Sequence, residues 1–227
     1  KRHGALSVTE YRTDGFLPEA MRNYLLRLGW GHGDDEIIST DQAIAWFDLA
    51  HVGKSAARFD VAKLTSLNAH YMRQADDRRL YEILMPALEE RLKGKLAEGA
   101  ADRVKKGISG LKERAKTVVE LIENAEFYAI TRPLALSEKA RKLLTEEAKQ
   151  RLRIISGGLE NLHEWTSPSL EEFARTYAEQ ENAKLGQIAQ PLRAALTGSN
   201  ISPGVFEIME ILGKEETLGR IEDALNS

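Results

Sequence analysis

The stretch Pro18-Glu19-Ala20-Met21-Arg22-Asn23-Tyr24-Leu25-Leu26-Arg27-Leu28-Gly29 reads as one amphipathic helix with both ends marked. Met21, Tyr24, Leu25 and Leu28 recur three and four positions apart, which places them on one stripe of a 3.6-residue turn. Proline suits the first helical position, where its missing N–H costs nothing, and glycine suits the stop. The same period recurs along the rest of the chain, and no stretch shows the alternation of a half-buried strand, so the expected fold class is all-α.

Downstream, a loop over 31–35 precedes a helix that Thr40 can cap and that runs through Phe47. Asp60 can cap a helix carrying Leu64, Leu67, Tyr71 and Met72, and another is expected from Arg78 to Leu92, with Pro86 kinking it. From Arg103 to Phe127 the pattern is helical, but Gly107 and Gly110 weaken its first half and suggest a break there. Arg132-Pro133 disfavours helical continuation and marks an expected domain boundary. A helix from Ser137 to about Ser156 is expected to stop at Gly157-Gly158. Ser169 with Glu172 forms a capping-box pattern for the next. The last two helices are expected over Pro203–Leu212 and about Glu215–Leu225, parted at Gly213. No fixed-period repeat is present, which counts against a solenoid.

At 227 residues, with 42% hydrophobic and 30% charged residues, the chain has the composition of a folded soluble protein of two or three packed units. It contains no cysteine, which excludes disulfides, thiolate nucleophiles and cysteine metal sites, and fits a reducing cytoplasmic setting. No apolar run approaches the roughly 20 residues needed to span a bilayer, so no membrane role is expected. His3, His32, His51, His70 and His163 are dispersed, with no pair at ligand spacing on a helix face, and no metal site is expected. Neither a glycine-rich phosphate loop nor a Ser/His/Asp set is legible.

The formal net charge is only -3, so nucleic-acid contact would have to come from local patches. Between Lys93 and Lys116 eight basic residues stand against three acids. From Asn182 to Phe206 there is no acid, while Lys184 and Arg193 are present. Either patch can also be read as a solvated helix face.

Identity of motif carries the reading further. The chain opens Lys1-Arg2-His3-Gly4, similar to the end of the KMSKS-type loop as glutamyl-tRNA synthetases write it, Lys-Leu-Ser-Lys-Arg followed by His-Gly. Then come Gly15-Phe16-Leu17-Pro18-Glu19-Ala20-Met21-Arg22-Asn23-Tyr24-Leu25, Phe59-Asp60, Lys63-Leu64, Asn68 and Tyr71. Further on stand Lys184-Leu185-Gly186-Gln187, Gln190-Pro191-Leu192-Arg193, Ala195-Leu196-Thr197-Gly198 and Pro203-Gly204 before Phe206-Glu207-Ile208. Spread in order over residues 1 to 227, these matches resemble the carboxy-terminal region of the bacterial glutamyl-tRNA synthetases, class I aminoacyl-tRNA synthetases.

The resemblance implies a stem-contact helical segment over 1–76 and two helical anticodon-binding subdomains over 77–132 and 133–227. It implies tRNA(Glu) as the partner, a cytoplasmic monomer, and ATP and Mg2+ as cofactors of the full-length ligase. A chain lacking the catalytic domain would hold no cofactor and be inactive alone, with Lys1 as the remnant of the signature loop and no catalytic residue of its own.

Single-stranded anticodon bases are read by stacking and by hydrogen bonds to their Watson–Crick edges. Arg114 matches the position where glutamate-specific members carry an arginine for the third anticodon base; the alternative is a surface arginine paired with an acid. Gln190 and Arg193 fall on a helix face about 130° from the Leu185, Ile188, Leu192, Leu196 stripe, together with Thr197, and so are expected outward. Pro191 either kinks that helix or opens a new one. Val205, Ile208, Met209 and Leu212 share a core stripe. Ser202, Pro203, Val205 and Phe206 match family positions lying against the anticodon, although Phe206 also suits a second core layer. Lys63, Lys105, Lys106 and Lys116 are the candidates for the tRNA backbone. Two rivals of other classes stand beside this reading. A helical protein-interaction adaptor would show an exposed apolar groove, and an enzyme using an unrecognised carboxylate pair would show that pair buried.

Overall fold

The computed structural model describes residues 7–54 and 57–227, and helices make up all the regular structure of those residues. In order they are α1 (Val8–Thr13), α2 (Pro18–Gly29), α3 (Thr40–Trp46), α4 (Val61–Gln74), α5 (Asp77–Arg91), α6 (Ala100–Lys112), α7 (Val118–Ala129), α8 (Glu138–Leu143), α9 (Glu146–Glu160), α10 (Ser167–Gln180), α11 (Leu185–Thr197), α12 (Val205–Leu212) and α13 (Lys214–Leu225). The all-α expectation holds, and the Pro18 start and Gly29 stop of α2 are both found. The chain divides into one unit of residues 1–80 and 112–123 and a second of 81–111 and 124–227.

In the first unit Tyr11, Met21, Tyr24 and Leu64 form a buried cluster edged by Phe16, Leu28, Phe59 and Leu67. Two buried asparagines join its segments. The Asn68 side chain accepts from the Leu17 N–H at 2.7 Å and donates to the Lys116 carbonyl at 2.6 Å. Asn23 Oδ1 accepts from the Ile38 N–H at 3.0 Å and from the Tyr71 hydroxyl at 2.9 Å. Gly15 has φ +83°, and a Cβ there would stand 2.7 Å from the Val119 nitrogen, so no other residue fits. The motif residues Gly15, Asn23, Asn68 and Tyr71 are thus architectural.

In the second unit α11 is the central helix, packed against α8, α9, α10, α12 and α13. Ile188, Leu192 and Leu196 are buried as the stripe requires, but Thr197 is buried as well, because α11 has neighbours on more than one side. Pro191 lies inside a continuous α11 and does not open a new helix. Arg220 of α13 is fully buried; its guanidinium donates to Glu216 at 2.7 Å and to the Leu196 carbonyl at the end of α11, also at 2.7 Å. Burial lowers its pKa, and the Glu216 carboxylate opposes that loss, so the charge is retained by its partner.

Several helix ends differ from expectation. Ser39, not Thr40, caps α3, because Gln42 completes a capping box with it. No break occurs at Gly107 or Gly110; α6 continues to Lys112. A Cβ on Gly107 would overlap the ring of Tyr128, so tertiary packing selects this glycine. The helix expected from Ser137 is two, with Thr145 capping α9, which runs through Gly157 and Gly158 to Glu160. Helix α10 starts at Ser167, ahead of Ser169. Pro203 stands before α12, whose first residue is Val205.

Candidate nucleic-acid interface

The expected site residues fall in both units, Lys63, Arg114 and Lys116 in the first and Lys105, Lys106 and those from 190 to 206 in the second. Lys1 lies outside the described residues.

In the second unit, Arg193 projects from the penultimate turn of α11 toward the segment that joins α11 to α12. Its Nε donates to Ser202 Oγ at 3.0 Å and its Nη2 to the Pro203 carbonyl at 3.5 Å. Ser202 Oγ in turn donates to the Pro203 carbonyl at 3.0 Å. The Thr197 hydroxyl donates to the Arg193 carbonyl at 2.8 Å and accepts from the Ser199 N–H at 3.2 Å, while Gly198 turns the chain at φ +69°. The structure therefore brings Arg193, Ser202 and Pro203 together. Gln190, one turn earlier, is half-buried.

Ser202, Val205 and Phe206 are 6%, 3% and 8% exposed, so the outward placement that a base contact by these side chains would use is not what the structure shows. Val205 lies on the apolar stripe of α12, Phe206 packs as a second core layer beside it, and the Ser202 hydroxyl is taken up by Arg193 and the Pro203 carbonyl. Ile201, by contrast, is 66% exposed at the loop tip. It was open to notice in the sequence only as an apolar residue set between Asn200 and Ser202.

The basic patch of 93–116 is thinned by pairing. Arg103 meets Glu216 at 3.4 Å, Lys106 meets Asp102 at 2.8 Å, and Lys112 meets Asp77 at 2.6 Å. Lys105, Arg114 and Lys116 are exposed, and their side chains have no ion pair among the described residues. Arg114 stands in the turn that follows α6. Its alternative role as half of a surface ion pair is absent from the described structure.

The first unit also holds a cleft of 1120 Å3 beside the start of α4. Its lining includes Arg27, Arg58, Lys63 and Arg73 against two acids, Glu36 and Asp60. Both Asp60-capped N–H groups, of Ala62 and Lys63, are held by Oδ1 at 2.9 and 3.2 Å, which commits that carboxylate to the helix. The cleft is therefore a cationic surface on balance. No group of three or more metal-ligating side chains is found among the described residues, and no helix among them is long and apolar enough to cross a membrane.

Known proteins resemble the chain along its length. Residues 79–225 match the family model described as anticodon binding domain, and residues 1–66 match that of the class I tRNA synthetase (E and Q) catalytic domain. The chain is 59% identical over 226 residues to glutamate–tRNA ligase 2 of Paramagnetospirillum magneticum, covering 99% of the chain and 47% of that protein. It is 53% identical over 224 residues to glutamate–tRNA ligase 2 of Rhodospirillum rubrum, covering 99% of the chain and 48% of that protein. The chain thus spans about half the length of these relatives. A crystal structure of a glutamate tRNA ligase from Elizabethkingia meningosepticum, in complex with its amino acid, superposes with a TM-score of 0.80 at 30% identity, over 96% of the chain and 42% of that structure. With the anticodon-binding model matching residues 79–225, more than half of the chain, the chain belongs to the anticodon-binding domain family, and the relatives named above are glutamate–tRNA ligases.

Proposed function

We propose that the chain recognises tRNA(Glu), as the RNA-binding part of a glutamate–tRNA ligase that joins glutamate to its tRNA with ATP and Mg2+ in the cytoplasm. The reading rests above all on the anticodon-binding family match over 79–225, whose span contains the Arg193-braced loop and the exposed Arg114. In this reading 1–76 meets the tRNA stem through the cationic cleft, and the subdomains 77–132 and 133–227 grip the anticodon as a monomer. Arg114 and Gln190 read base edges. Arg193 holds Ser202 and Pro203 so that the loop presents its backbone and Ile201 to the bases, with Val205 and Phe206 as the packed floor behind it. Lys63, Lys105, Lys106 and Lys116 contact phosphates, which fix register without reading sequence.

The test is the affinity of the chain for glutamate tRNA and for an unrelated tRNA at two salt concentrations. Preference for glutamate tRNA at both is expected, with both affinities falling as salt rises because phosphate contacts release counterions. Equal affinity for the two tRNAs would refute the reading.

A further inference from the structure

The last carbonyls of an α-helix have no partner within the helix, and the helix dipole favours a cation beside them. Helix α11 ends at Thr197, directly before the segment that Arg193 braces, and it has no basic residue in its own last turn. The cation comes from α13. Arg220, its side chain wholly buried, donates through Nη1 to the Leu196 carbonyl at 2.7 Å and through Nε to Glu216 Oε1 at 2.7 Å. Glu216 is the centre of a wider cluster. Its Oε2 meets Arg103 of α6 at 3.4 Å and Arg132, beyond the end of α7, at 4.0 Å, and Arg132 also meets Asp223 at 3.6 Å. A Cβ on Gly219 would overlap the Arg132 guanidinium, so that glycine leaves the room the arginine takes. The turn after α11 is held from a second side as well. The Gly198 carbonyl accepts from the Ser137 N–H at 2.9 Å, and a Cβ on Gly198 would overlap the Ala135 carbonyl oxygen.

Replacing a buried ion cluster by packed apolar side chains is often neutral for stability, so stability is a weak reason for this one. A guanidinium is a rigid planar fork, and one that bonds two acceptors at once fixes their separation. Here the two acceptors are a carboxylate on α13 and the end of α11. The carbonyl so held lies in the chain between Arg193 and Ser202, the two residues joined by the hydrogen bond that braces the loop. A shift of that carbonyl moves the loop against Arg193.

We propose that Arg220 is a positioning residue for the anticodon site, fixing the end of α11 so that Arg193, Ser202 and Pro203 stand where an unstacked base meets them. This rests on the tRNA-binding reading above and extends it to a side chain on another helix, too deeply buried to touch RNA itself.

The experiment compares the chain with its Arg220→Lys and Glu216→Gln variants. It measures thermal stability, and affinity for the glutamate-tRNA anticodon stem-loop and for the same loop with each anticodon base changed in turn. Lysine keeps a charge for Glu216 but lacks the fork that serves both acceptors, so the Leu196 carbonyl is released. Glutamine at position 216 still accepts from Arg220 Nε and leaves that carbonyl held. Both variants should melt at a lower temperature than the parent. Only Arg220→Lys should lose selectivity, its preference for the unchanged loop falling about fivefold, part of what one base contact contributes, while Glu216→Gln keeps the parent's preference. Equal preference in all three chains, or the same loss in both variants, overturns the proposal. If either variant fails to fold, amide hydrogen exchange of the unsubstituted chain decides. The Gly198 N–H, bonded to the Ala194 carbonyl at 3.0 Å, should then exchange as slowly as the Leu192 N–H in the middle of α11, whereas exchange faster by about tenfold or more shows a frayed end that Arg220 does not fix. Failure of the unsubstituted chain to prefer the glutamate loop overturns the underlying reading, and the proposal with it.

Discussion

Asn68 shows how a single residue can resemble a functional signature and serve the fold. Its amide bridges Leu17 and Lys116, so it ties three separate segments of the first unit. Replacement by leucine keeps the volume but strands a buried N–H and a carbonyl, each costing about 1–3 kcal/mol. Asn68→Leu should lower stability by about 3 kcal/mol in urea unfolding; a loss below about 1 kcal/mol would mean that water replaces the amide. Arg114 is the opposite case, an exposed cation in no ion pair among the described residues, so its replacement should leave stability unchanged. Arg114→Gln should cost about 1–3 kcal/mol in binding glutamate tRNA, and changing the third anticodon base should hurt the parent chain more than the variant. Additive losses in that double cycle would return Arg114 to the role of an ordinary surface residue.

Among elements, the helices were legible and many of their ends were not. Stripe positions such as Ile188, Leu192 and Leu196, or Val205, Ile208, Met209 and Leu212, are local in sequence, and all are buried. Glycines mislead because their meaning lies in a distant neighbour. Gly157-Gly158 reads as a stop, yet α9 runs through both. A Cβ on Gly158 would overlap the ring of Phe173, whereas one on Gly157 meets nothing within 4 Å. Adjacent substitutions should therefore have opposite signs. Gly157→Ala should stabilise by about 0.5–1 kcal/mol through helix propensity, and Gly158→Ala should destabilise by about 1–3 kcal/mol through overpacking. Thermal melts of the two variants check this; two shifts of the same sign would contradict the packing account. The site was legible to the same degree. Sequence matching brought out Arg193, Ser202 and Pro203, but the hydrogen bonds among them and the burial of Phe206 are products of tertiary packing and have no local pattern.

For the whole molecule, a net charge of -3 leaves the proposed phosphate contacts to a few local cations. Among the described residues Lys105 is exposed in no ion pair and Lys106 pairs with Asp102, the two side chains of that pair being 60% and 66% exposed, a pairing that is weak in water. Substituting both by alanine should weaken binding of every tRNA alike and reduce the slope of log affinity against log salt by about 1 to 2. An unchanged slope would remove them from the interface. The resemblance, the family match and the braced loop together amount to one claim, that this chain distinguishes tRNAs by their anticodons. Transplanting the anticodon tests it most directly: the glutamate anticodon is placed in an unrelated tRNA, the unrelated anticodon in glutamate tRNA, and all four affinities for the chain are measured. The account predicts that most of the preference follows the anticodon, by about tenfold or more in each direction. Affinity that stays with the tRNA body, whatever anticodon it carries, would contradict it.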